Sequence, residues 1–371
     1  MRKWPRRALL GGLAALAGSA GCGALVLHRP RFGALPEGGR LARVQASPHW
    51  TGASFRNLEP TPLISSGEGV AKAWAKFLFK SKGRTEPRDA LPAVKADLKA
   101  LDPARNWVVW LGHSSVFLQL AGMRILIDPV FSSHAAPLPV AVAAFRGTGA
   151  FAPGDMPDID LLLISHDHWD HLDYATVCAL APRVRRVLCP LGVGAHLVRF
   201  GLQEGRISEL DWFGQASFGP VSATLTPSRH FSGRLFVRDQ TLWGGAVFEG
   251  GGVRVCFTGD GGYGSHFREI GRRFGGFDLV MPDTGQYNPR WAHVHMFPEE
   301  AARACSDLGG RTLLPVHIGR FCISEHDWDD PFRRIASAAE GMPWRLATPR
   351  IGEPVEIGGP VPQIRWWEGL A

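Results

Sequence analysis

Six consecutive residues, His166-Asp167-His168-Trp169-Asp170-His171, contain four side chains suited to holding a metal: His166, His168, Asp170 and His171. An apolar run over 159–164 leads directly into them. Side chains alternate along an extended segment, so His166 and His168 point the same way and both imidazoles can reach one ion. Asp170 and His171 follow where the chain turns toward a helix, positioned for a second ion nearby. Imidazole nitrogen with carboxylate oxygen suits zinc, and also iron or manganese.

A lone His-x-His pair would mean little, but three further runs of strand type end in the same kinds of residue. The run 223–229 ends in His230, 253–259 in Asp260, and 312–316 in His317. Donors fixed at the ends of buried strands sit on a rigid frame, which a two-metal site needs. Asp167 is expected to point away from the metals. Asp128, after the apolar run of Leu126-Ile127, is a candidate to orient a ligand histidine by hydrogen bonding, or else it caps the turn before Pro129.

The elements that carry these residues read as alternating short strands and helices. Strands are expected at 107–111, 116–120, 124–127, 160–165, 221–226, 253–258, 277–281 and 311–316. Helices are expected near 172–181, 192–200, 264–274, 298–309 and 329–340. Strands in two clusters, with helices after the ligand-bearing ends, fit an α/β fold of two sheets packed face to face with helices outside, a four-layer αββα sandwich. The 45 Gly, 28 Pro and 13 Trp agree with a loop-rich α/β protein and exclude a helical bundle.

Of the net charge of +7, four positives (Arg2, Lys3, Arg6 and Arg7) precede a charge-free apolar run over 8–27. That pattern reads as a signal or membrane-anchor segment, with Arg6-Arg7 resembling a twin-arginine export signal and Cys22 a candidate for lipidation. The protein is therefore expected to be exported to the cell envelope or held at a membrane. No basic run interleaves with aromatics in the body of the chain, which argues against nucleic-acid binding. Residues 28–103 read as a connector, with a short amphipathic helix at 70–80 that could rest on a membrane surface or pack on the body. Residues 104–371 form the metal-bearing domain. The six cysteines form no Cys-x-x-Cys pair, so neither a zinc ribbon nor a redox motif is indicated.

The stretch His166-Asp-His-Trp-Asp-His resembles the signature of the metallo-β-lactamase superfamily. Other stretches resemble one branch of it, the phospholipase D enzymes that hydrolyse N-acyl-phosphatidylethanolamine: Trp110-Leu-Gly-His-Ser-Ser, Ile127-Asp-Pro-Val-Phe-Ser-Ser, Leu242-Trp-Gly-Gly, Phe257-Thr-Gly-Asp-Gly-Gly-Tyr and Tyr287-Asn-Pro-Arg-Trp. The resemblance runs from about Ser47 to Pro331. It implies two divalent ions, zinc first among them, one held by His166, His168 and His230, the other by Asp170, His171 and His317, with Asp260 bridging. It also implies a catalytic role for His295, with His293 as a rival on sequence alone. Trp169 stands where a tyrosine is expected, and Ile318-Gly319-Arg320 departs from the family's Trp-Gly-Thr.

The chemistry so implied is phosphodiester hydrolysis of a phospholipid by hydroxide, since metals lower the pKa of a shared water from about 15.7 to near 7. The alternatives are a lactonase or another small phosphodiester hydrolase of the same superfamily, and a metal-binding scaffold without activity. Oligomeric state is not indicated by any feature of the sequence.

Overall fold

The structure is a computed structural model that describes residues 29–65, 83–137, 141–234 and 237–371. The charge-free run and the amphipathic stretch at 70–80 lie outside the described residues. Among those described, no helix is long and apolar enough to cross a membrane.

The chain builds two seven-stranded sheets. The first contains β1 (Trp107–Trp110), β2 (Val116–Leu120), β3 (Met123–Ile127), β4 (Ile159–Leu163), β5 (Val184–Pro190), β6 (Ile207–Leu210) and β14 (Pro354–Glu356), in the order β14-β1-β2-β3-β4-β5-β6. The second contains β7 (Gln215–Phe218), β8 (Val221–Thr226), β9 (Gly245–Gly250), β10 (Val253–Phe257), β11 (Leu279–Met281), β12 (Thr312–Leu313) and β13 (Arg345–Leu346), in reverse chain order from β13 to β7.

Alternation along the strands sorts their side chains into layers. On β2, Val116, Leu118 and Leu120 face the second sheet and meet Ala223, Phe248, Val255 and Phe257. Phe117 points the other way, with Leu126, Leu162 and Val187, against helices α2 (Tyr174–Leu180) and α3 (Gly194–Arg199). On the second sheet Val247, Cys256 and Val280 lie under α4 (His266–Phe274), α5 (Pro298–Asp307) and α6 (Asp330–Ala338). Both faces of each sheet are thus covered, which is why the central strands read as unbroken apolar runs. The four-layer αββα sandwich expected from the sequence is the fold observed.

Each sheet is antiparallel on one side and parallel on the other. β3 pairs in parallel with β4, and β10 with β11 and β11 with β12. Parallel neighbours end on the same edge, so the chain after Ile127, Leu163, Phe257, Met281 and Leu313 emerges along one rim of the sandwich. The sheets meet at this rim, where Gly244 N–H donates to the Ser165 carbonyl at 3.1 Å.

The stretch 83–103, read as connector, contributes Leu91 and Leu98 to the core. Upstream, a helix absent from the sequence reading, α1 (Gly38–Gln45), is fixed by Arg40 and Arg43, both within 2.7 Å of Glu209. The following strap, 47–65, crosses the second sheet. Arg229 secures it through the Thr61 hydroxyl (3.1 Å) and the Pro60 carbonyl (2.7 Å).

At the start of α4, His266 is 5% exposed and its Nε2 has no hydrogen-bond partner. Burial pushes its pKa down to about 4, with Arg229 assisting and Glu59 opposing. The folded state therefore refuses a proton that the unfolded chain takes up below about pH 6.5. Stability is unaffected by this group above that pH and falls as pH drops toward 4, by up to about 3 kcal/mol. In urea titrations, His266→Leu is expected to lose less stability than the parent between pH 6.5 and pH 4; parallel losses would remove His266 as the source.

Candidate metal centre

The parallel strand ends deliver the sequence-predicted donors to one point. His166 and His168 follow β4, and the Nε2 of the first lies 2.9 Å from Nδ1 of the second. His230, beyond β8, brings its Nε2 to 3.3 Å from the same His168 nitrogen. These three imidazoles form one group of donor atoms within 4.8 Å of one another. Asp170, His171 and His317 form a second group together with His113. Asp260, after β10, stands between: its Oδ2 is 3.0 Å from His171 Nε2 and 3.9 Å from both His166 and His230 Nε2, while its Oδ1 is 3.2 Å from His317 Nδ1.

The electrostatics favour ion binding. Burial first, and then neighbouring imidazoles, push His166 and His230 well below the ordinary histidine range; burial takes His168 to about 4. His317 is displaced the same way. Neutral imidazoles offer the lone pairs that a metal takes. Burial pushes the Asp260 carboxyl up to about 7 against the pull of His171. His171 differs: burial lowers its pKa, but Asp260, Asp170 and Asp128 outweigh that and raise it, and its Nε2, 3.0 Å from Asp260 Oδ2, makes no hydrogen bond of good geometry. A clustered, unsatisfied set of nitrogen and carboxylate donors is unfavourable by itself and fits a divalent ion.

Asp128 orients rather than binds. Its φ is +40°, and it is fully buried. Its Oδ2 accepts from His171 Nδ1 at 2.8 Å and from the Ser165 hydroxyl at 2.5 Å, and its Oδ1 accepts from Ser165 N–H at 2.7 Å. One carboxylate thus sets the His171 tautomer and the backbone entering the histidine motif. Asp128→Asn is expected to weaken metal binding about 10–100-fold with the fold retained. Competition against a chromophoric chelator measures this; unchanged affinity would show that Asp128 merely closes its turn.

Asp167 points away from the centre, as expected. His196 Nε2 lies 3.2 Å from its Oδ2, and Gly233 N–H and the Thr241 hydroxyl donate to it at 2.6 and 3.0 Å. Trp169 lies under the Arg234 guanidinium, 3.9 Å from its ring, and donates its indole N–H to the Arg234 carbonyl. Arg320 is buried away from the centre and donates to the carbonyls of Thr148 and Ser132. The two departures from the family pattern therefore lie in packing contacts.

His295 lies beside the donors, its ring centroid 5.0 Å from those of His230 and His317. Its Nδ1 is 2.8 Å from Asp283 Oδ2. Burial alone would lower its pKa, but Asp283 outweighs that and raises it. His293, the rival, belongs to none of the donor groups.

Two residues of the site were missed in the sequence. His113, in the turn between β1 and β2, places Nε2 2.9 Å from Asp170 Oδ2. Its backbone exchanges hydrogen bonds with the last ligand loop, His113 N–H to the Ile318 carbonyl and His317 N–H to that of His113. Asp283 follows β11 and anchors His295. It is also held by Gly261 N–H at 3.1 Å and Gly285 N–H at 3.2 Å. Asp283 obeys the strand-end rule that identified Asp260; His113 carries no spacing signal.

A cleft of about 830 Å³ opens beside His230, walled by strap residues 55–61 and by Phe231, Arg238 and Trp243. The strap also holds the ligand itself: Asn57 donates to the His230 carbonyl at 2.7 Å and accepts from His230 N–H at 3.0 Å.

Comparison with known proteins agrees with the fold. Residues 123–318 match the family described as Beta-lactamase superfamily domain. An uncharacterised protein of Mycobacterium tuberculosis is 37% identical over 327 residues, 87% of this chain and 88% of its own length. An N-acyl-phosphatidylethanolamine-hydrolyzing phospholipase D of Caenorhabditis elegans is 29% identical over 301 residues, 71% of this chain and 83% of its own. Among solved structures, a possible metal-dependent hydrolase from Veillonella parvula superposes with a TM-score of 0.56 at 14% identity, covering 68% of this chain and 98% of that one.

Proposed function

This chain belongs to the beta-lactamase superfamily as a metal-dependent hydrolase, and from that premise we propose that it is a phospholipase D-type phosphodiesterase acting on N-acyl-phosphatidylethanolamine-like lipids with two zinc ions. The observation that carries this reading is the pair of donor groups with Asp260 facing members of both, beside an open cleft of about 830 Å³. Such a volume is in the range of small-ligand pockets, roughly 300–1,000 Å³. It takes a glycerophosphate headgroup while the acyl chains stay outside. The similarity to the nematode phospholipase D supports the same substrate class.

His166, His168 and His230 would hold one ion and Asp170, His171 and His317 the other, with Asp260 between them. Bound there, the ions supply Lewis acidity and a water acidic enough to lose its proton near neutral pH. The protein's own part is positioning and proton handling. Asp283 engages Nδ1 of His295 and leaves Nε2 uncommitted among the described residues. That nitrogen is available to a substrate oxygen or the leaving group. Asp128 and His113 keep His171 and Asp170 aligned.

A panel of phospholipids with zinc-loaded protein tests the assignment. The expected products are phosphatidic acid and an N-acylethanolamine, identified by mass. Hydrolysis of lactones or of small phosphodiesters alone would overturn the lipid reading.

The same proposal places the protein at a membrane or in the cell envelope through residues 8–27. Removing the first 27 residues is expected to leave turnover of a soluble phosphodiester unchanged and to reduce recovery on lipid vesicles. Equal vesicle recovery of the uncleaved and truncated forms would remove the anchor.

A further inference from the structure

The cleft beside His230 contains four charged side chains, and they are not equivalent. The two carboxylates are occupied. Glu59 Oε1 accepts from Ser265 N–H at 2.7 Å and from the Ser265 hydroxyl at 2.6 Å, and Asp239 Oδ1 accepts from Ser232 N–H at 3.1 Å. The two guanidinium groups make no such bonds, although the Asp239 carboxylate is a charged neighbour of Arg238. Among the described residues neither Arg56 nor Arg238 has an ion pair or a side-chain hydrogen bond, and the guanidinium carbon of Arg238 lies over Phe231, 4.1 Å from the ring centroid.

Both arginines are placed by anchored backbone. Arg56 lies next to Asn57, whose amide is locked to His230, and its own N–H donates to the His49 carbonyl at 3.0 Å. Arg238 precedes Asp239, whose N–H donates to the Ser232 carbonyl at 3.1 Å and whose own carbonyl accepts from Phe55 N–H at 2.8 Å. The strap and the loop after His230 are therefore bonded to each other, and each presents one unpaired cation to the cleft. Guanidinium groups match carboxylate and phosphate oxygens through paired N–H donors.

We propose that Arg56 and Arg238 form a seat for a second oxyanion of the substrate, a carboxylate or phosphate borne on the headgroup beyond the phosphodiester that meets the metal centre. This rests on the phosphodiesterase reading for the orientation of the substrate. It makes the strap a specificity element and narrows the N-acyl-phosphatidylethanolamine-like class to members whose headgroup carries an additional oxyanion, such as an N-acylated phosphatidylserine.

Calorimetric titration of zinc-loaded protein with matched soluble headgroups tests the seat without requiring turnover. Glycerophosphoserine is compared with glycerophosphoethanolamine, which lacks its carboxylate, and glycerophosphoinositol 4-phosphate with glycerophosphoinositol. In at least one pair the more anionic member is expected to bind about 10-fold tighter, and the pair that shows it identifies the oxyanion. Arg56→Gln and Arg238→Gln are expected to bring that ratio close to one while leaving the weaker member's affinity unchanged. Equal affinities in both pairs, absence of binding, or a ratio that survives both substitutions would overturn the proposal. Turnover of bis(p-nitrophenyl) phosphate is followed in parallel. A retained binding ratio without turnover would count against the phosphodiesterase reading and leave the seat standing.

Discussion

Asp260→Asn is expected to reduce bound metal from about two ions per chain to one or fewer, and to lower turnover beyond the roughly 10–100-fold cost of disturbing an orienting partner. The reason is geometric. One carboxylate oxygen faces His166, His171 and His230, and the other faces His317. An amide presents a single neutral oxygen in that place, and its NH2 group would aim hydrogens at nitrogens that must keep their lone pairs free. Circular dichroism should remain that of the parent, because Asp260 sits at the rim and the apolar layers beneath it are untouched. Elemental analysis together with turnover checks the prediction. A single tightly held ion, the same in parent and variant, would sink the dinuclear assignment.

His295→Gln is expected to behave differently. Turnover should fall about 10²–10⁴-fold, the range for loss of a positioned proton-transfer group, while metal content stays at the parental value. Asp283 engages Nδ1 of the imidazole, and the rings of His230 and His317 stand 5.0 Å away. His295 lies within reach of donors on both sides, with His230 and Asp260 and with Asp283 and His317, but the three-histidine group and the group of His113, Asp170, His171 and His317 form without it. His293→Gln supplies the control: its side chain joins no donor group, and its loss should leave kcat within about twofold of the parent. If His295→Gln sheds metal as Asp260→Asn does, His295 is a ligand and the role in proton transfer fails.

The donors at 166, 230, 260 and 317 were legible because each follows an apolar strand run, and those at 168, 170 and 171 because they are spaced within six residues of the first; hydrophobic periodicity is the clearest signal a single sequence offers. The same logic located the strands that carry them. It failed for β5, where the exposed pair Arg185-Arg186 interrupts the apolar pattern, for β6 and β7, which have half-exposed faces, and for β9, whose short run begins and ends on glycine. β13 and β14 are only two and three residues long and exist through their partners. α1 opens on Gly38-Gly39 without a side-chain cap, so local propensity argues against a helix that Glu209 holds from a distance. His113 lies in a stretch that carries the family resemblance, yet its place in the site was not legible, for another reason. Its φ of +52° and its two bonds to the loop after His317 are tertiary facts, about 200 residues apart in sequence.

The pairing of β1 with β14 sets a clock on biosynthesis. Trp107 lies opposite Glu356, so the edge of the first sheet is left open until nearly the whole chain has left the ribosome. At about 5–20 residues per second, that exposed edge waits on the order of tens of seconds for its last neighbour. During this interval β1 offers unpaired N–H and C=O groups to any passing strand, which is the condition for intermolecular pairing. Truncations that remove β14 should consequently appear as aggregation during expression rather than as a weakened metal site.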